Sequence, residues 1–214
     1  MRIEIWMDFV CPFCYLGKHR LARALEQVNL KEPVDILYRS FELSPKAPLR
    51  SGKLVPEQIA AAHGIELDAA IASVDDIRDQ GLEIGLDMHL RTAPVTNTFD
   101  AHRLTQMVFN SDPKLAMELI EKLFYAYFTE HKDIGDPSVL IELAESLGID
   151  RDSVVEVLVT DAYSKEVRAD EKRSRDVGLQ GVPHFLFDEQ YAVSGAQAPK
   201  TFAKVIERIV EERL

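Results

Sequence analysis

Alternating apolar and polar positions near the amino end predict a β-strand over residues 2–7. The alternation then gives way to leucines and alanines that recur at helical spacing, which predicts a helix over residues 14–28. Pro12 suits the first turn of such a helix, because a missing N–H costs nothing there. A second strand is predicted over residues 34–41, so the chain opens β-α-β.

Helical periodicity dominates the middle of the chain. Aspartate, asparagine and glycine residues at the segment boundaries are typical helix caps, and Asn97 is predicted as one such N-cap. The middle of the chain is therefore predicted to be entirely helical. The predicted helices cover residues 56–63, 67–80, 98–109, 114–130, 137–147, 151–159 and 162–177.

Strand signals return near the carboxyl end. Two short apolar runs, residues 184–187 and 191–194, flank a three-residue turn and predict a hairpin. A last amphipathic helix begins at Pro199. Neither end of the chain has enough strands for a sheet of its own, so the two ends are expected to share one α/β sheet. The predicted units are a sheet-forming unit and a helical insertion, residues 1–45 with 178–214 and residues 46–177.

The charge balance narrows the possible partners. Of 214 residues, 36 are acidic and 25 basic, for a net charge of −11. Such a surface repels phosphate backbones, so nucleic acid is not an expected partner. No stretch approaches the ~20 apolar residues that span a bilayer, and the amino end lacks the apolar core of a signal peptide. We therefore expect a cytoplasmic protein without a membrane partner.

The two cysteines of the chain stand together as Cys11-Pro12-Phe13-Cys14. In a reducing compartment a pair with this spacing is typically catalytic or metal-binding. The amino end of a helix favours a thiolate through its unpaired N–H groups and partial positive charge. Cys11 is therefore the expected nucleophile, and Cys14 lies within one turn, where it can resolve a mixed disulfide. Pro12 and Phe13 shape the turn and influence its redox potential.

Two other interpretations of the cysteine pair are weaker. A zinc site needs four ligands, yet the chain has no second C-x-x-C and no histidines at H-x₃₋₅-H spacing. A structural disulfide between Cys11 and Cys14 would close too short a loop to stabilise much. No metal is therefore predicted.

The tripeptide Gly181-Val182-Pro183 is the second chemical feature. A cis Val182–Pro183 bond would leave the Val182 backbone free to pair with an extended substrate. The alternative is an ordinary trans proline at the start of an edge strand. The tripeptide alone favours that alternative, because only ~5–6% of X-Pro bonds are cis.

Asp8, Asn97 and His102 are further candidates near the thiols. Asp8 lies three residues before Cys11, where its carboxylate could relay a proton for Cys14; the alternative is a surface acid at a strand end. His102 is a candidate to stabilise a thiolate, or else a packed helical histidine. Asn97 is adequately explained as a helix cap.

Several other side chains have structural interpretations. Trp6 is predicted in the core and His19 on the solvent side of the first helix. Arg103 is either a solvated residue or a ligand for anions, and His184 lies either at the rim of the site or under the sheet. Residues 168–176 mix both charge signs, which is typical of an exposed helix. One helix carries aromatic residues expected in a core or an interface: Phe124, Tyr125, Tyr127 and Phe128.

Four pieces of the sequence, taken in order, resemble the DsbA-like thioredoxin-fold oxidoreductases, and most closely their FrnE-like branch. The long helical insertion between them also matches that family, and the resemblance covers essentially the whole chain. The four pieces are residues 8–17 (DFVCPFCYLG), 97–103 (NTFDAHR), 181–183 (GVP) and 194–197 (SGAQ).

The resemblance implies a thioredoxin fold, thiol–disulfide exchange, and a cis Pro183 that faces the cysteines. Relatives of this branch include 2-hydroxychromene-2-carboxylate isomerases and kappa-class glutathione transferases, which have a serine at the position of Cys11 and bind glutathione. Because this chain has both cysteines, redox chemistry is favoured over isomerisation. Phe13 stands where DsbA has a histidine, so the strongly oxidising potential of DsbA is not carried over.

Three functional hypotheses follow. The first is a thiol–disulfide oxidoreductase with catalytic Cys11, Cys14 and Pro183, acting on protein or small-molecule thiols without a cofactor. The second is a glutathione-dependent isomerase or transferase of small aromatic substrates, with glutathione as co-substrate. The third is a chaperone-like binding module. The expected substrate-binding residues are Pro12, Phe13, Val182, His102, Asn97 and Asp8.

Overall fold

The two ends of the chain build one sheet, as predicted. The computed structural model describes residues 1–28, 30–49 and 51–213. The order of strands in the sheet is β2-β1-β3-β4, with β1 parallel to β2 and the other two pairs antiparallel. The strands are β1 (Arg2–Met7), β2 (Asp35–Ser40), β3 (His184–Phe187) and β4 (Tyr191–Ser194).

Helices connect and cover this sheet. α1 (Pro12–Gln27) is the crossover that the parallel pair β1 and β2 requires. α9 (Pro199–Glu212) follows the β3–β4 hairpin and packs beside α1. No helix within the described residues is long and apolar enough to cross a bilayer.

The segment between β2 and β3 is mostly helical, so the predicted thioredoxin-like α/β fold with a helical insertion is confirmed. The exact limits of the insertion, residues 46 and 177, stay a prediction. A short 3₁₀ turn, Leu90–Thr92, separates α3 from α4. The helices are α2 (Val55–His63), α3 (Leu67–Leu82), α4 (Phe99–Ser111), α5 (Pro113–Phe128), α6 (Pro137–Glu145), α7 (Arg151–Val159) and α8 (Ser164–Asp176).

One face of the sheet is apolar and packs on α1 and α9. Ile5 and Phe185 pair across β1 and β3, so both point to this face, and both are buried. Phe185 meets Phe202 of α9 edge to face, with ring centroids 4.7 Å apart. Gly17 of α1 lies over the same ring, because a Cβ there would be 3.0 Å from Phe185 and 3.1 Å from Pro183. A larger residue at this position would push α1 off the sheet.

The opposite face carries an ionic layer, formed by Glu4, Arg39, Asp170 and Arg173. Glu4 of β1 accepts hydrogen bonds from Arg39 of β2 at 2.7 Å and from Arg173 of α8 at 2.9 Å. Arg39 also donates to Asp170 of α8 at 2.8 Å. The prediction of an exposed helix over residues 168–176 therefore holds for one side of α8 only, since five of these nine residues are exposed while Asp170 and Ser174 are buried. The charges of α8 meet partners on the sheet that lie far away in sequence.

Aromatic residues of α5 join the insertion to α1. Phe124 and Phe128 are buried and stack on Tyr15, with ring centroids 5.0 and 5.9 Å away. The Tyr15 hydroxyl donates to Glu121 of α5 at 2.8 Å, and His19 Nε2 lies 3.2 Å from the same carboxylate. His19 thus faces α5 rather than solvent, contrary to the prediction, because Glu121 offers it a partner.

The remaining structural predictions have mixed outcomes. Trp6 lies in the core, as predicted, and its indole N–H donates to the carbonyl of Asp170 at 3.1 Å. Tyr127 is buried as expected, whereas Tyr125 is 48% exposed.

Arg103 is buried, contrary to the prediction of a solvated or ligand-binding residue. It donates to unpaired carbonyls at the end of α7 and just beyond, those of Val157, Thr160 and Ala162.

Candidate active site

Both cysteines lie at the amino end of α1, directly after β1. Cys11 precedes the first helical residue, Pro12, and has an extended backbone with φ −91° and ψ 109°. The Cys11 carbonyl accepts hydrogen bonds from the amides of Cys14 at 3.0 Å and Tyr15 at 3.4 Å. Both cysteines are free thiols, and both are buried. The turn thus holds both sulfurs at the start of the helix, as the spacing predicts.

The segment before β3 lies against Cys11. The peptide bond between Val182 and Pro183 is cis. The Cys11 thiol donates to the Val182 carbonyl oxygen, with a distance of 3.7 Å between sulfur and oxygen. The Pro183 carbonyl accepts the Gly195 amide at 2.8 Å, which ties this segment to the end of β4. The fold therefore brings together two predicted site residues that lie 171 positions apart in the chain.

Cys14 has the more buried thiol of the pair. Burial raises the pKa of the Cys14 thiol well above its usual range, and the hydrogen bond and charge of Cys11 raise it further. A hydrogen bond from the Asp8 backbone lowers the pKa, while the charge of the Asp8 carboxylate raises it. Cys14 is therefore a protonated thiol at neutral pH. It needs to lose that proton before it can attack as a thiolate.

Asp8 and His102 form a buried pair next to Cys14. Each of the two side chains is 1% exposed, and His102 Nε2 lies 3.3 Å from Asp8 Oδ1. The second carboxylate oxygen of Asp8 accepts the Leu43 amide at 2.7 Å. The His102 ring also packs on Phe9, with centroids 4.7 Å apart. Asp8 is thus no surface acid, and the two predicted residues belong to one hydrogen-bonded unit.

Asn97 lies in the loop before α4, and both polar atoms of its side-chain amide form hydrogen bonds with backbone groups. Its Oδ1 accepts the Phe99 amide at 2.9 Å, and its Nδ2 donates to the Ala47 carbonyl at 3.1 Å. The N-cap position of α4 belongs to Thr98, one residue later than predicted. Asn97 therefore anchors the loop after β2 to the start of α4.

His184 lies under the sheet rather than at the rim of the site. Its ring meets that of Trp6 edge to face, with centroids 6.0 Å apart. Nδ1 is 3.1 Å from the Ser194 hydroxyl, and Nε2 has no hydrogen-bond partner among the residues described. Burial lowers the pKa of His184, so the ring is uncharged at neutral pH.

An open groove of about 410 Å³ begins at the first cysteine. Cys11, half-buried Pro12, exposed Phe13 and Val182 line one part of it. The helical insertion supplies most of the rest through α2, α3 and the segment that follows them. Leu43 adds to the lining from the loop after β2. The main apolar contributors from the insertion are Val55, Ile59, Val74, Ile77 and Leu90.

Sequence reasoning missed the insertion residues that line the groove. They come from separate segments, and an apolar side chain in an amphipathic helix fits a core as well as a binding surface. No local pattern distinguishes the two, because the assignment depends on how α2 and α3 dock onto α1. A sequence signal for an apolar binding surface does exist in Phe13, a large apolar residue between the two cysteines, which the structure shows to be exposed.

The groove offers few groups for a charged ligand. Besides Cys11, its polar lining consists of Ser44, Gln58, Thr96 and Tyr127 with one imidazole, His63, and no lysine or arginine lines it among the described residues. The described part of the chain also holds no cluster of three or more His, Cys, Asp or Glu side chains fit for a metal ion. A molecule bound here would make mostly apolar contacts.

Comparisons with known proteins find a family model and a solved structure that are similar to this chain over nearly its whole length. A family model described as the DSBA-like thioredoxin domain matches residues 2–207. The crystal structure of a probable DsbA oxidoreductase, SCO1869 from Streptomyces coelicolor, superimposes with a TM-score of 0.94. It is 34% identical in sequence, over 100% of this chain and 92% of that chain.

Two more distant structures share the fold alone. The cytosolic disulfide reductase DsbM from Pseudomonas aeruginosa gives a TM-score of 0.66 at 16% identity, over 99% of each chain. 2-Hydroxychromene-2-carboxylate isomerase gives 0.68 at 16% identity, over 100% of this chain and 98% of that one. These neighbours are consistent with the predicted FrnE-like branch.

Proposed function

The chain belongs to the family of DSBA-like thioredoxin domains, and from this premise we propose that it exchanges disulfides through Cys11 and Cys14. One observation carries the proposal. The Cys11 thiol stands at the amino end of α1 beside an apolar groove, and Cys14 follows one turn later. This places a nucleophile where substrate can reach it and a second thiol where it can reach the nucleophile.

The proposed reaction has two balanced steps. The Cys11 thiolate attacks one sulfur of a substrate disulfide, so a mixed disulfide forms while the substrate S–S bond breaks and a thiolate leaves. Cys14 then loses its proton and attacks the Cys11 sulfur, which releases the second substrate thiol. The substrate gains two electrons and two protons, and the enzyme ends with a Cys11–Cys14 disulfide. The reverse sequence oxidises a dithiol.

The order of the two cysteines follows from their environments. Cys11 lines the groove, whereas Cys14 does not, and the raised pKa of Cys14 keeps it protonated until it is needed. A thiol that stays protonated leaves the first attack to its neighbour. Cys11 is therefore the proposed nucleophile and Cys14 the proposed resolving thiol.

We assign Asp8 the role of proton acceptor for Cys14. Its carboxylate is buried and near enough for its charge to raise the pKa of Cys14. A base in a site closed to bulk water can take a proton that solvent could not reach quickly. His102 holds the carboxylate in place through the 3.3 Å contact, so it acts as a positioning residue.

The substrate backbone is proposed to lie along the Val182–Pro183 segment. Val182 contacts the Cys11 thiol, so a disulfide that reacts with Cys11 arrives next to the Val182 backbone. Pro12 and Phe13, next to the nucleophile in the chain, line the same groove. A cytoplasmic location remains part of the proposal, and the structurally similar DsbM is a cytosolic reductase.

A glutathione-dependent isomerase of small aromatic molecules is the second candidate. The fold shared with 2-hydroxychromene-2-carboxylate isomerase and the apolar groove favour it. Such an activity has no need of a resolving cysteine, so it would survive replacement of Cys14. Disulfide exchange would be lost in the same variant.

Trapping a mixed disulfide tests the proposed function. The Cys14→Ser variant, mixed with a peptide disulfide, should accumulate a covalent adduct at Cys11, because the resolving step is lost. The Cys11→Ser variant should form no adduct under the same conditions. Mass spectrometry of the intact protein, with and without dithiothreitol, measures both. Equal adduct formation by the two variants would contradict the assignment.

A further inference from the structure

We infer that Arg20 of α1 is a positioning residue for disulfide exchange, because it fixes the Val182–Pro183 segment beside Cys11 without touching the substrate. The inference rests on the proposed exchange chemistry and adds a residue to it. Its basis is a chain of contacts that runs from Arg20 through the loop after β4, residues 195–198, to the carbonyl group of Pro183.

The Val182–Pro183 segment has few backbone contacts of its own. It lies in the chain just before β3. Within the described part of the chain, residues 180–183 form a single backbone–backbone hydrogen bond, from the Gly195 amide to the Pro183 carbonyl at 2.8 Å. The position of the segment next to the nucleophile therefore depends on where the loop after β4 holds Gly195.

The loop after β4 is braced by its own hydrogen bonds. The Gln197 amide donates to the Gly195 carbonyl at 2.9 Å, and the Gln197 side chain donates to the Ser194 carbonyl at 3.0 Å. Gly195 has a φ of 78°, a left-handed conformation that favours glycine. Because these features fix the shape of the loop, a displacement of Ala196 is passed on to Gly195, its neighbour in the chain.

Arg20 ties this loop to the helix that carries the cysteines. One guanidinium nitrogen of Arg20 donates to the Ala196 carbonyl at 2.5 Å. The other donates to the side chain of Gln80 on α3 at 3.3 Å. A hydrogen bond from a cation is shorter and stronger than one between neutral groups. Arg20 therefore fixes Ala196 firmly against α1.

Gly17 provides a second point of contact on the same face of α1. Gly17 and Arg20 are three positions apart, so they are neighbours on the helix surface. A Cβ at Gly17 would lie 3.1 Å from Pro183, so the helix backbone approaches the proline ring closely. Pro183 thus contacts α1 directly and is joined to it again through the loop that Arg20 anchors. These contacts hold the Val182 carbonyl oxygen 3.7 Å from the sulfur of Cys11.

A displaced Val182–Pro183 segment should affect two kinds of disulfide unequally. A peptide disulfide is proposed to align its backbone with this segment, whereas hydroxyethyl disulfide has no backbone to align. Reaction rates depend steeply on alignment, and a misplacement of about 1 Å can cost about a hundredfold. Loss of Arg20 should therefore slow the peptide disulfide and spare the small one. A merely structural role of Arg20 would not separate the two rates in the folded protein.

The test measures both rates in the Cys14→Ser background, where the adduct at Cys11 accumulates. The reduced protein is mixed with the symmetric disulfide of acetyl-Ala-Ala-Cys-Ala-Ala-amide or with hydroxyethyl disulfide, and mass spectrometry of the intact protein follows the adduct. Urea denaturation establishes that each variant is folded under these conditions. Arg20→Ala should lower the ratio of the peptide rate to the hydroxyethyl disulfide rate about tenfold. Arg20→Lys keeps a cation that can donate to the Ala196 carbonyl, and it should restore the ratio to within about threefold.

Arg23→Ala is the matched control. Arg23 lies on the same helix, and its guanidinium also donates to a backbone carbonyl, that of Ile84, at 2.9 Å. This contact joins α1 to the segment after α3 and not to the loop after β4. The control should change the ratio by less than about twofold. An equal fall in Arg20→Ala and Arg23→Ala would overturn the inference, because any guanidinium contact of α1 would then have the same effect.

Failure of the inference and failure of the proposed function are distinguishable. An unchanged ratio in Arg20→Ala, an equal fall of both rates, or a ratio that Arg20→Lys does not restore would overturn the role of Arg20 while leaving the exchange activity intact. If the protein with native Arg20 did not react even with hydroxyethyl disulfide, the proposed function itself would be overturned, because that small disulfide needs no alignment.

Discussion

The ionic layer and the thiol site both bury ionisable side chains, but they surround them differently. In the ionic layer, the Glu4 carboxylate meets the guanidinium groups of Arg39 and Arg173. At the thiol site, Cys14 meets another thiol, and the nearby Asp8 carboxylate meets a histidine and a backbone amide. One region pairs a buried carboxylate with two guanidinium groups, whereas the Cys14 thiol has only another thiol and the Asp8 carboxylate as its titratable neighbours.

This difference in surroundings shifts the pKa values of Glu4 and Cys14 in opposite directions. Burial raises the pKa of Glu4, but hydrogen bonds from Arg173 and Arg39 outweigh burial and leave that pKa below its usual value. Burial also raises the pKa of Cys14, and there the neighbouring thiol adds to the effect. Glu4 therefore stays ionised and holds β1, β2 and α8 together. An unmatched group keeps a proton that it can later give up, which is the condition for chemistry.

Glu4→Gln converts a matched charge into a mismatch, and it has the largest expected effect on stability. Removing one partner of a buried ion pair leaves the other charges uncompensated. We expect the free energy of unfolding to fall by about 3 kcal/mol, measured by urea denaturation. The rate of Cys11 modification in the folded protein should stay the same, because the ionic layer lies on the other face of the sheet.

Glu189→Gln is the control for that variant. Glu189 also pairs with Arg173, at 3.4 Å, but its side chain is 66% exposed. Its replacement should change the free energy of unfolding by less than about 0.5 kcal/mol. If Glu4→Gln and Glu189→Gln lower the free energy of unfolding by similar amounts, burial does not make the Glu4 ion pairs stronger than the exposed Glu189 pair. The contrast drawn between the ionic layer and the thiol site would then be contradicted.

Asp8→Asn tests the thiol site through the resolving step. As a proton acceptor, Asp8 should speed that step by about a hundredfold, the low end of general acid–base catalysis. The variant should therefore release a preformed Cys11 mixed disulfide about a hundredfold more slowly at neutral pH, measured by stopped-flow quenching and mass analysis. The loss should shrink as the pH rises toward the pKa of Cys14, where the thiol ionises unaided.

Faster release of the mixed disulfide by Asp8→Asn would contradict the proposed role of Asp8 as proton acceptor. The negative charge of Asp8 raises the pKa of Cys14, so its removal lowers that pKa and supplies more thiolate. If Asp8 acts through its charge alone, Asp8→Asn should release the mixed disulfide faster at neutral pH. A purely structural role predicts a lower stability with an unchanged pH profile of the resolving step.

Glu121→Gln has the smallest expected effect and concerns the contact between α1 and α5. Burial raises the pKa of Glu121, but His19 and Lys18 outweigh it and lower the pKa to about 2. A depressed carboxylate pKa stabilises the folded state above the usual value of 4.5, and that stabilisation is lost as the pH falls from 4.5 toward about 2. Because the side chain is 38% exposed, solvent screening reduces the contribution to about 1 kcal/mol.

Urea denaturation as a function of pH measures this contribution. The difference in unfolding free energy between the native chain and Glu121→Gln should be near its full value at neutral pH and should vanish toward the acid end. Glu145→Gln serves as the control, because Glu145 is 43% exposed and pairs with Arg151 on the surface. A difference that persists unchanged to low pH would show that charge is not its source.

Local sequence patterns were sufficient to predict most helices and strands and to place Cys11 and Cys14 at the start of a helix. The strand at residues 2–7 coincides with β1, and Pro12 does begin the helix that carries the cysteines. The buried side of α8 and the burial of Arg103 were not predicted, for a common reason. A charged side chain looks solvated in sequence whenever its partner lies far along the chain, as Glu4 does from Arg173, 169 positions away.

The periodicities, the caps and the Cys11–Cys14 spacing could be predicted before the fold was known, because each depends on residues within a few positions of one another. Tertiary structure alone decided which side chains surround those cysteines. The groove, the Asp8–His102 pair and the contact of Cys11 with Val182 arise only when segments from both ends and the insertion dock together. Docking depends on the summed burial and pairing of many residues, and no short stretch of sequence encodes that sum.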